Sequence, residues 1–386
     1  MQRCINLGGQ GAASVRKTIH FTYSYVERTG WSIDLASSQL GLERSSYDLE
    51  HIYSSPDAFP SNETSIEELH GVDYIYAGSI ALVRGDSWND WYSVDTTKTE
   101  IKTVKTNIGP TIYHDFSITF ASPVSYESVF GKTLGALVED GDTIIGSSSW
   151  DSIKLTARSE IVDAREGDDF IDGREGNDRL LGGDGNDTLV GGAGSDRIDG
   201  DWGRDSASYA GALKGVTASL ANAAINTNDA KGDIFIAIEN LIGSSHSDRL
   251  IGDGEINGLK GEGGNDWLYG AKGGDDVFGG SGKDVFVFKA LSDSTVSSDG
   301  RDTIFDFYGN GDRISLWAMD ANTTASGNQA FKFIGADGFH GKAGELRYSK
   351  KSSDTYIYGD VNGDRKADFS IHLDDRVTLD KYDFVL

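Results

Sequence analysis

The chain has 386 residues, with 35 Lys+Arg against 61 Asp+Glu and a formal charge of −26. A field of that sign repels nucleic acid and anionic lipid and favours cations. Glycine numbers 50 and proline only 4, which excludes collagen-like and proline-rich disordered chains, and the lone Cys4 excludes an internal disulfide.

Residues 1–136 hold 16 acids, 10 bases and all four prolines. Met1 to Lys17 lacks the apolar stretch of a secretory signal, and no apolar run in the chain reaches the ~20 residues of a membrane helix. Alternating β-branched and aromatic residues predict strands over 18–26, 72–83, 91–94, 99–106 and 111–120, with a helix over 65–69. None of His20, His51, His70 or His114 begins the HExxH motif of zinc proteases, and no GxSxG is present. Gly85-Asp86-Ser87 follows an apolar run, as the nucleophile does in GDS-type esterases. Its partner histidine is misplaced, however: Asp48 with His51 precedes the serine, and Asp337 with His340 lies far downstream. The tripeptide therefore reads as a polar hairpin tip. Trp88, Trp91 and Tyr92 read as sandwich core, with a sugar-stacking platform as the other possibility. The segment is expected to be a β-rich module binding a surface glycan or matrix component. A polysaccharide or ester hydrolase is the alternative.

Residues 137–288 hold 29 acids, 13 bases and 29 of the glycines. From Ala164 they fall into nines, with glycine early, a carboxylate sixth and an apolar residue eighth. Asp169 precedes Ile171, Asp178 precedes Leu180, Asp187 precedes Leu189, Asp196 precedes Ile198, and a weaker copy pairs Asp205 with Ala207. The phase runs back through Asp142, Asp151 and Glu160, which read as capping turns. A second block carries Asp248 with Leu250, a degenerate Asn257 with Leu259, then Asp266, Asp275 and Asp284. Asp205 and Asp248 are 43 residues apart, not a multiple of nine, so 209–242 reads as an insertion rather than hidden repeats.

A glycine-rich hexad makes a tight turn, and three residues of strand follow with only the middle one pointing inward. Two nonads close one coil, so repeats n and n+2 stack and bring their aspartates face to face. Rows of carboxylates repel, and a cation with six to eight oxygen ligands relieves that repulsion. These nonads resemble the GGxGxDxUx pattern of the RTX (hemolysin-type calcium-binding) family, which implies an all-β fold built on a parallel β-roll. By the resemblance, several Ca²⁺ ions sit between Asp169, Asp178, Asp187, Asp196 and Asp205 of the first block and between Asp248, Asp266, Asp275 and Asp284 of the second. The Asn257/Asp275 pair is weakened because the amide has no charge. Turn carbonyls of Gly167, Gly176, Gly183, Gly185, Gly192, Gly194, Gly263, Gly273, Gly280 and Gly282 complete the shells.

Residues 285–386 resemble the serralysin C-terminal domain, with the domain itself expected over 289–386. The matching pieces end at Phe288, Phe307, Leu316, Tyr348 and Phe369. Apolar residues at Ile304, Phe305, Phe307, Ile314, Leu316, Phe331 and Phe333 predict strands closing the roll. Asp360, Asn362, Asp364 and Asp368 have the oxygen spacing of an EF-hand-like loop, but position 12 is Ile371 and no helices are predicted beside it. A β-turn is the reading there. Asp383-Phe384-Val385-Leu386 resembles the uncleaved signal read by type I secretion machinery, so the expectation is an extracellular protein without an N-terminal signal peptide. At cytosolic calcium such a roll is expected to be unfolded, and to fold outside the cell.

Overall fold

The eighth residue of each repeat decides the architecture. Three-residue strands such as Phe170–Asp172 and Thr188–Val190 bury only their middle side chain, so each turn contributes one apolar residue to a narrow core. Ile144, Ile153, Val162, Ile171, Leu180, Leu189, Ile198 and Ala207 are all buried there. Fully burying a residue of this size stabilises by roughly 1.5–3 kcal/mol, so a long roll is held by many small, like increments.

The computed structural model describes residues 143–146, 150–308 and 311–386, together with the backbone of seven strands within 18–119. It is all-β, with short 3-10 turns and no α-helix among the described residues. One face of the roll is Thr143–Ile145, Ile161–Glu166, Arg179–Asp184, Arg197–Trp202 and Ile234–Ile236. The opposite face runs Asp151–Lys154, Phe170–Asp172, Thr188–Val190, Ser206–Ser208, Asn240–Ile242, Gly258–Lys260, Asp276–Phe278 and Thr303–Ile304. All these strands are parallel, and the register pairs Val162 with Leu180 and Leu180 with Ile198, then Ile171 with Leu189 and Leu189 with Ala207. Two nonads therefore make one coil.

Residues 209–242 do not simply bulge from the roll, and the expectation of no hidden rungs is corrected. Ile234–Ile236 ends the first face, with Phe235 beside Ile198, and Asn240–Ile242 continues the second, with Leu241 beside Ala207. Thr217–Ser219 starts a new face that proceeds through Arg249–Ile251, Trp267–Tyr269, Val285–Val287, Arg313–Ser315 and Phe384–Val385. The spacer thus supplies one strand to each of three sheets, and its irregular length is absorbed in the links between them.

A parallel roll has unpaired edges at both ends, and both are covered. At the start, Thr18–Ser24 lies parallel to Thr143–Ile145 and Trp31–Asp34 lies parallel to Asp151–Lys154. Thr18–Ser24 also pairs antiparallel with Tyr113–Thr119, which leads a meander of Glu100–Lys105, Asp90–Asp95, Ile80–Arg84 and Tyr74–Ala77. The single strand expected over 72–83 is thus two strands with Ala77 opposite Ile80, a two-residue hairpin spacing. The strand Trp31–Asp34 escaped the sequence pattern. The helix expected over 65–69, the Gly85-Asp86-Ser87 tripeptide, Asp48, His51 and Trp88 lie outside the described residues. At the far end, Phe369–Leu373 extends the roll beside Thr303–Ile304 and joins an antiparallel sheet with Thr355–Asp360 and Glu345–Lys350. Phe286 against Phe307 and Phe331 against Phe369 fill the core below that sheet.

Candidate metal centre

The sixth-position carboxylates form ladders along the edges of the roll. In each step the backbone N–H of one rung donates to a carboxylate oxygen of the rung stacked on it. Asp151 donates to Asp169 at 2.6 Å, Asp169 to Asp187 at 2.7 Å and Asp187 to Asp205 at 2.8 Å. Glu160 donates to Asp178 and Asp178 to Asp196, each at 2.8 Å. In the second block Asp248 donates to Asp266 and Asp266 to Asp284, again at 2.8 Å. One oxygen of every aspartate is thereby fixed by the fold.

The other oxygen is left over. Oδ2 of Asp169, Asp178, Asp187, Asp196, Asp205, Asp266, Asp275 and Asp284 is buried without a hydrogen-bond partner. A buried acceptor left unmade costs about 1–3 kcal/mol, and more when charged. Burial accordingly pushes the carboxyls up: Asp178 to about 9, Asp169 to about 8, Asp187, Asp266 and Asp275 to about 7, and Asp196 and Asp205 to about 6. Burial raises Asp248 and Asp284 as well. Backbone hydrogen bonds pull the other way, and neighbouring carboxylates add to the rise at most of these positions.

The glycines show what the space between rungs is for. A Cβ on Gly182 would lie 2.1 Å from Asp187 Oδ2, and one on Gly261 would lie 2.3 Å from Asp266 Oδ2 and 2.5 Å from the Gly279 carbonyl. Further round the turn, a Cβ on Gly183 would lie 1.7 Å from the Arg165 carbonyl and one on Gly194 1.5 Å from that of Gly176. Carbonyls and orphaned carboxylate oxygens thus crowd the turns, where no side chain fits. The donors are hard oxygens with no nitrogen or sulfur among them, the set that Ca²⁺ takes. In degenerate repeats the second position is held at positive φ by Arg165, Arg174, Asp201, Glu262 and Ala271. Such strain costs about 1–3 kcal/mol each, so the turn geometry overrides residue preference.

Most of the expected glycines fall in these turns. Gly167, Gly176, Gly183, Gly185, Gly192, Gly273, Gly280 and Gly282 have positive φ. Gly263 is displaced: Gly264 has φ +127 and closely approaches the His246 carbonyl, whereas a Cβ on Gly263 meets only Ser281 Oγ at 3.2 Å. The turn position belongs to Gly264, because the Gly-Glu-Gly-Gly stretch has a glycine on both sides of the choice.

Four rungs escaped the nine-residue register. Asp196 donates to Asp233 at 2.9 Å, Asp205 to Glu239 at 2.8 Å, Asp275 to Asp302 at 3.1 Å and Asp284 to Asp312 at 3.0 Å. Each lies two residues before an apolar residue, respectively Phe235, Leu241, Ile304 and Ile314, and that spacing was the available signal. Several rungs are closed by protein donors. Asp233 Oδ2 accepts from the Tyr209 hydroxyl at 2.8 Å, Asp312 Oδ2 from the Tyr308 amide at 2.8 Å, and Asp248 Oδ2 from the Ser244 amide and hydroxyl. Asn257 stacks under Asp275, but its Oδ1 accepts from the Asp253 amide at 2.8 Å and its Nδ2 donates to the Glu239 carbonyl at 3.2 Å. Among the ladder aspartates of the described residues, the orphaned oxygens are therefore those of the eight named above.

The EF-hand-like spacing near Asp360 is a turn. Asp360 accepts from the amides of Gly363 and Arg365, and Asp368 from those of Val361 and the Asn362 side chain, so the loop saturates its own carboxylates. Upstream of that loop, His340 Nδ1 meets Glu345 Oε1 at 3.0 Å.

The stacked carboxylates, the turn carbonyls and the parallel coils define a calcium-binding β-roll. The comparisons agree: residues 156–189 and 172–207 match the RTX calcium-binding nonapeptide repeat, and residues 203–386 match the C-terminal region of peptidase M10 serralysins. The chain thus carries calcium-binding RTX repeats running into a serralysin-type C-terminal region. No curated protein matches it. Among solved structures, the AlgE6R3 subunit of the Azotobacter vinelandii mannuronan C5-epimerase is 24% identical over 38% of this chain and 76% of that one, with a TM-score of 0.28. No helix among the described residues is long and apolar enough to cross a membrane.

Proposed function

We propose that this chain is a secreted protein whose roll folds on extracellular Ca²⁺, held by Asp169, Asp178, Asp187, Asp196, Asp205, Asp266, Asp275 and Asp284 with the carbonyls of their turns. The observation that carries the reading is the row of buried, unpartnered Oδ2 atoms along the roll. When bound, the ion supplies the positive charge those oxygens lack. The residues themselves hold the ladder in register through their amide-to-carboxylate bonds.

Export by type I machinery is part of the reading. The tetrapeptide at 383–386 is docked in the folded chain: Phe384 is buried and lies beside Ile314, while Asp383 accepts from the Asp380 amide at 2.6 Å. A signal held this way is legible only before the roll closes, which fits folding by calcium after passage. Deleting 383–386 is expected to retain the protein inside cells that carry a type I exporter, while the purified deletant keeps its calcium isotherm. Undiminished export would overturn the address.

Residues 1–136 carry the specific ligand in this reading, a surface glycan or matrix component. Their meander joins the roll as one continuous sheet, so calcium loading sets the platform that presents it. Calcium-saturated full-length chain is expected to bind a glycan array selectively. A blank array together with turnover of a polysaccharide or ester substrate would replace the binding module by a hydrolase.

A further inference from the structure

At the end of the molecule away from the N-terminal strands, a second cluster has a different donor chemistry. Asp354, His372 and Asp374 each offer one ligand atom, and the three atoms lie within 4.8 Å of one another. They come together because of the strand register. Thr355 pairs with Leu373 in the antiparallel ladder, so Asp354 and Asp374 flank that pair, and Asp374 follows directly on the strand Phe369–Leu373 that carries His372. The strand carries His372 to this corner, and the bend after Leu373 brings Asp374 within reach of it.

The histidine is built into place. Its ring stacks on Tyr356 with centroids 4.7 Å apart and planes 16° from parallel, and its Nδ1 lies 3.2 Å from Thr303 Oγ1. A hydrogen bond at one ring nitrogen sets the tautomer that the other presents. The other, Nε2, is buried without a partner, with Asp354 Oδ1 3.9 Å away. That gap is longer than a hydrogen bond and of the span that two ligands of one ion occupy, given metal–ligand bonds of about 2.0–2.2 Å. Neither aspartate pairs with lysine or arginine among the described residues. Two nearby cations are engaged elsewhere: Arg301 Nε donates to Ser370 Oγ and Lys350 Nζ to Thr378 Oγ1.

The geometry points to a metal site at Asp354, His372 and Asp374 that takes a zinc-class divalent ion, separate from the calcium ladder. The imidazole nitrogen decides the class, since calcium takes oxygen donors and zinc takes nitrogen and carboxylate oxygen together. Three protein ligands, with Asp374 exposed, leave a coordination position open to water. The ion would tie the turn before Thr355–Asp360 to the end of Phe369–Leu373 and so clamp the closing sheet of the roll.

The test uses the full chain saturated with Ca²⁺, so that the roll carboxylates are occupied, and titrates Zn²⁺ alone by calorimetry. One equivalent is expected to bind. His372→Gln and Asp374→Asn are each expected to weaken it at least about tenfold, while leaving the calcium isotherm unchanged, and Asp374→Asn, at an exposed position, should also leave the thermal midpoint of the zinc-free protein unchanged. Co²⁺ in place of Zn²⁺ gives a visible spectrum of mixed nitrogen and oxygen ligation, lost in His372→Gln. No Zn²⁺ uptake by the calcium-saturated chain would overturn the site, as would uptake undiminished in both variants.

Discussion

Removing calcium with EDTA at about pH 7.5 is expected to abolish the β-structure of the roll, and adding Ca²⁺ back to restore it in a cooperative transition followed by circular dichroism. The physical reason is the density of unpartnered carboxylates. Eight buried Oδ2 atoms have no protein donor, and the aspartates stacked 18 residues apart repel one another when ionised. An ion held only by the folded state stabilises it by about 2.7 kcal/mol per site at a hundredfold excess over Kd, and the stacked sites add. Asp187→Ala takes a rung from between Asp169 and Asp205, so it is expected to lower the calcium stoichiometry and the affinity of what remains. Asp172→Asn, on the adjacent coil but paired with Lys154 at 3.2 Å, should leave the isotherm unchanged. A metal-free chain that kept its full β-signal near neutral pH would sink the folding-on-calcium reading, and an unchanged isotherm for Asp187→Ala would sink the ligand assignment.

Acid should partly substitute for calcium. In the unfolded chain these aspartates titrate near their ordinary value of 3.8, whereas in the metal-free roll burial raises them to between about 6 and about 9. The folded state therefore binds more protons across that window. Their contribution is fully present below about pH 4 and is lost as the pH climbs through the folded values. The metal-free chain should thus regain β-structure and a thermal transition at about pH 5 that it lacks at about pH 8. At about pH 5, where the metal-free roll is folded with these carboxyls protonated, calcium uptake should release protons, and the apparent affinity should rise as the pH climbs. Metal-free stability that rose with pH there would contradict the burial of these groups.

Gly185→Ala is expected to be strongly damaging. Gly185 has φ +145, and a Cβ there would sit 1.9 Å from the Gly167 carbonyl oxygen and 2.5 Å from its carbon. The φ alone costs roughly 1–3 kcal/mol for a residue other than glycine, and the carbonyl must also swing out of the turn it serves. Both the thermal midpoint and the affinity for calcium should fall, because the same displacement strains the backbone and removes an oxygen. Gly211→Ala is the matched comparison: nothing lies within 4 Å of its Cβ and its φ is not positive. Equal stability of the two variants would show that the turns are looser than the structure has them.

The sequence by itself determined the repeat. Asp at the sixth position and an apolar residue at the eighth recur every nine residues, and a strand can bury only alternate side chains, so period and polarity together dictate a coil of two nonads. The aspartates from Asp169 to Asp205, and Asp266, Asp275 and Asp284, were legible for that reason. Asp233, Glu239, Asp302 and Asp312 were not, because a rung needs only a carboxylate two residues before an inward apolar residue, and links of any length can join such rungs. Nor does spacing reveal that Tyr209 and Ser244 fill the second oxygens of Asp233 and Asp248, since those donors approach from outside the repeat. The opening charge of −26 carried the same division: its sign pointed to cations, but tertiary structure decided which carboxylates are left without a partner. Burial and hydrogen-bond saturation are properties of neighbours brought together by the coil, and so are the meeting of His372 with Asp354 across a strand pair and the docking of Thr18–Ser24 on Thr143–Ile145. A local pattern fixes what each residue can do, and the long-range register fixes what it meets.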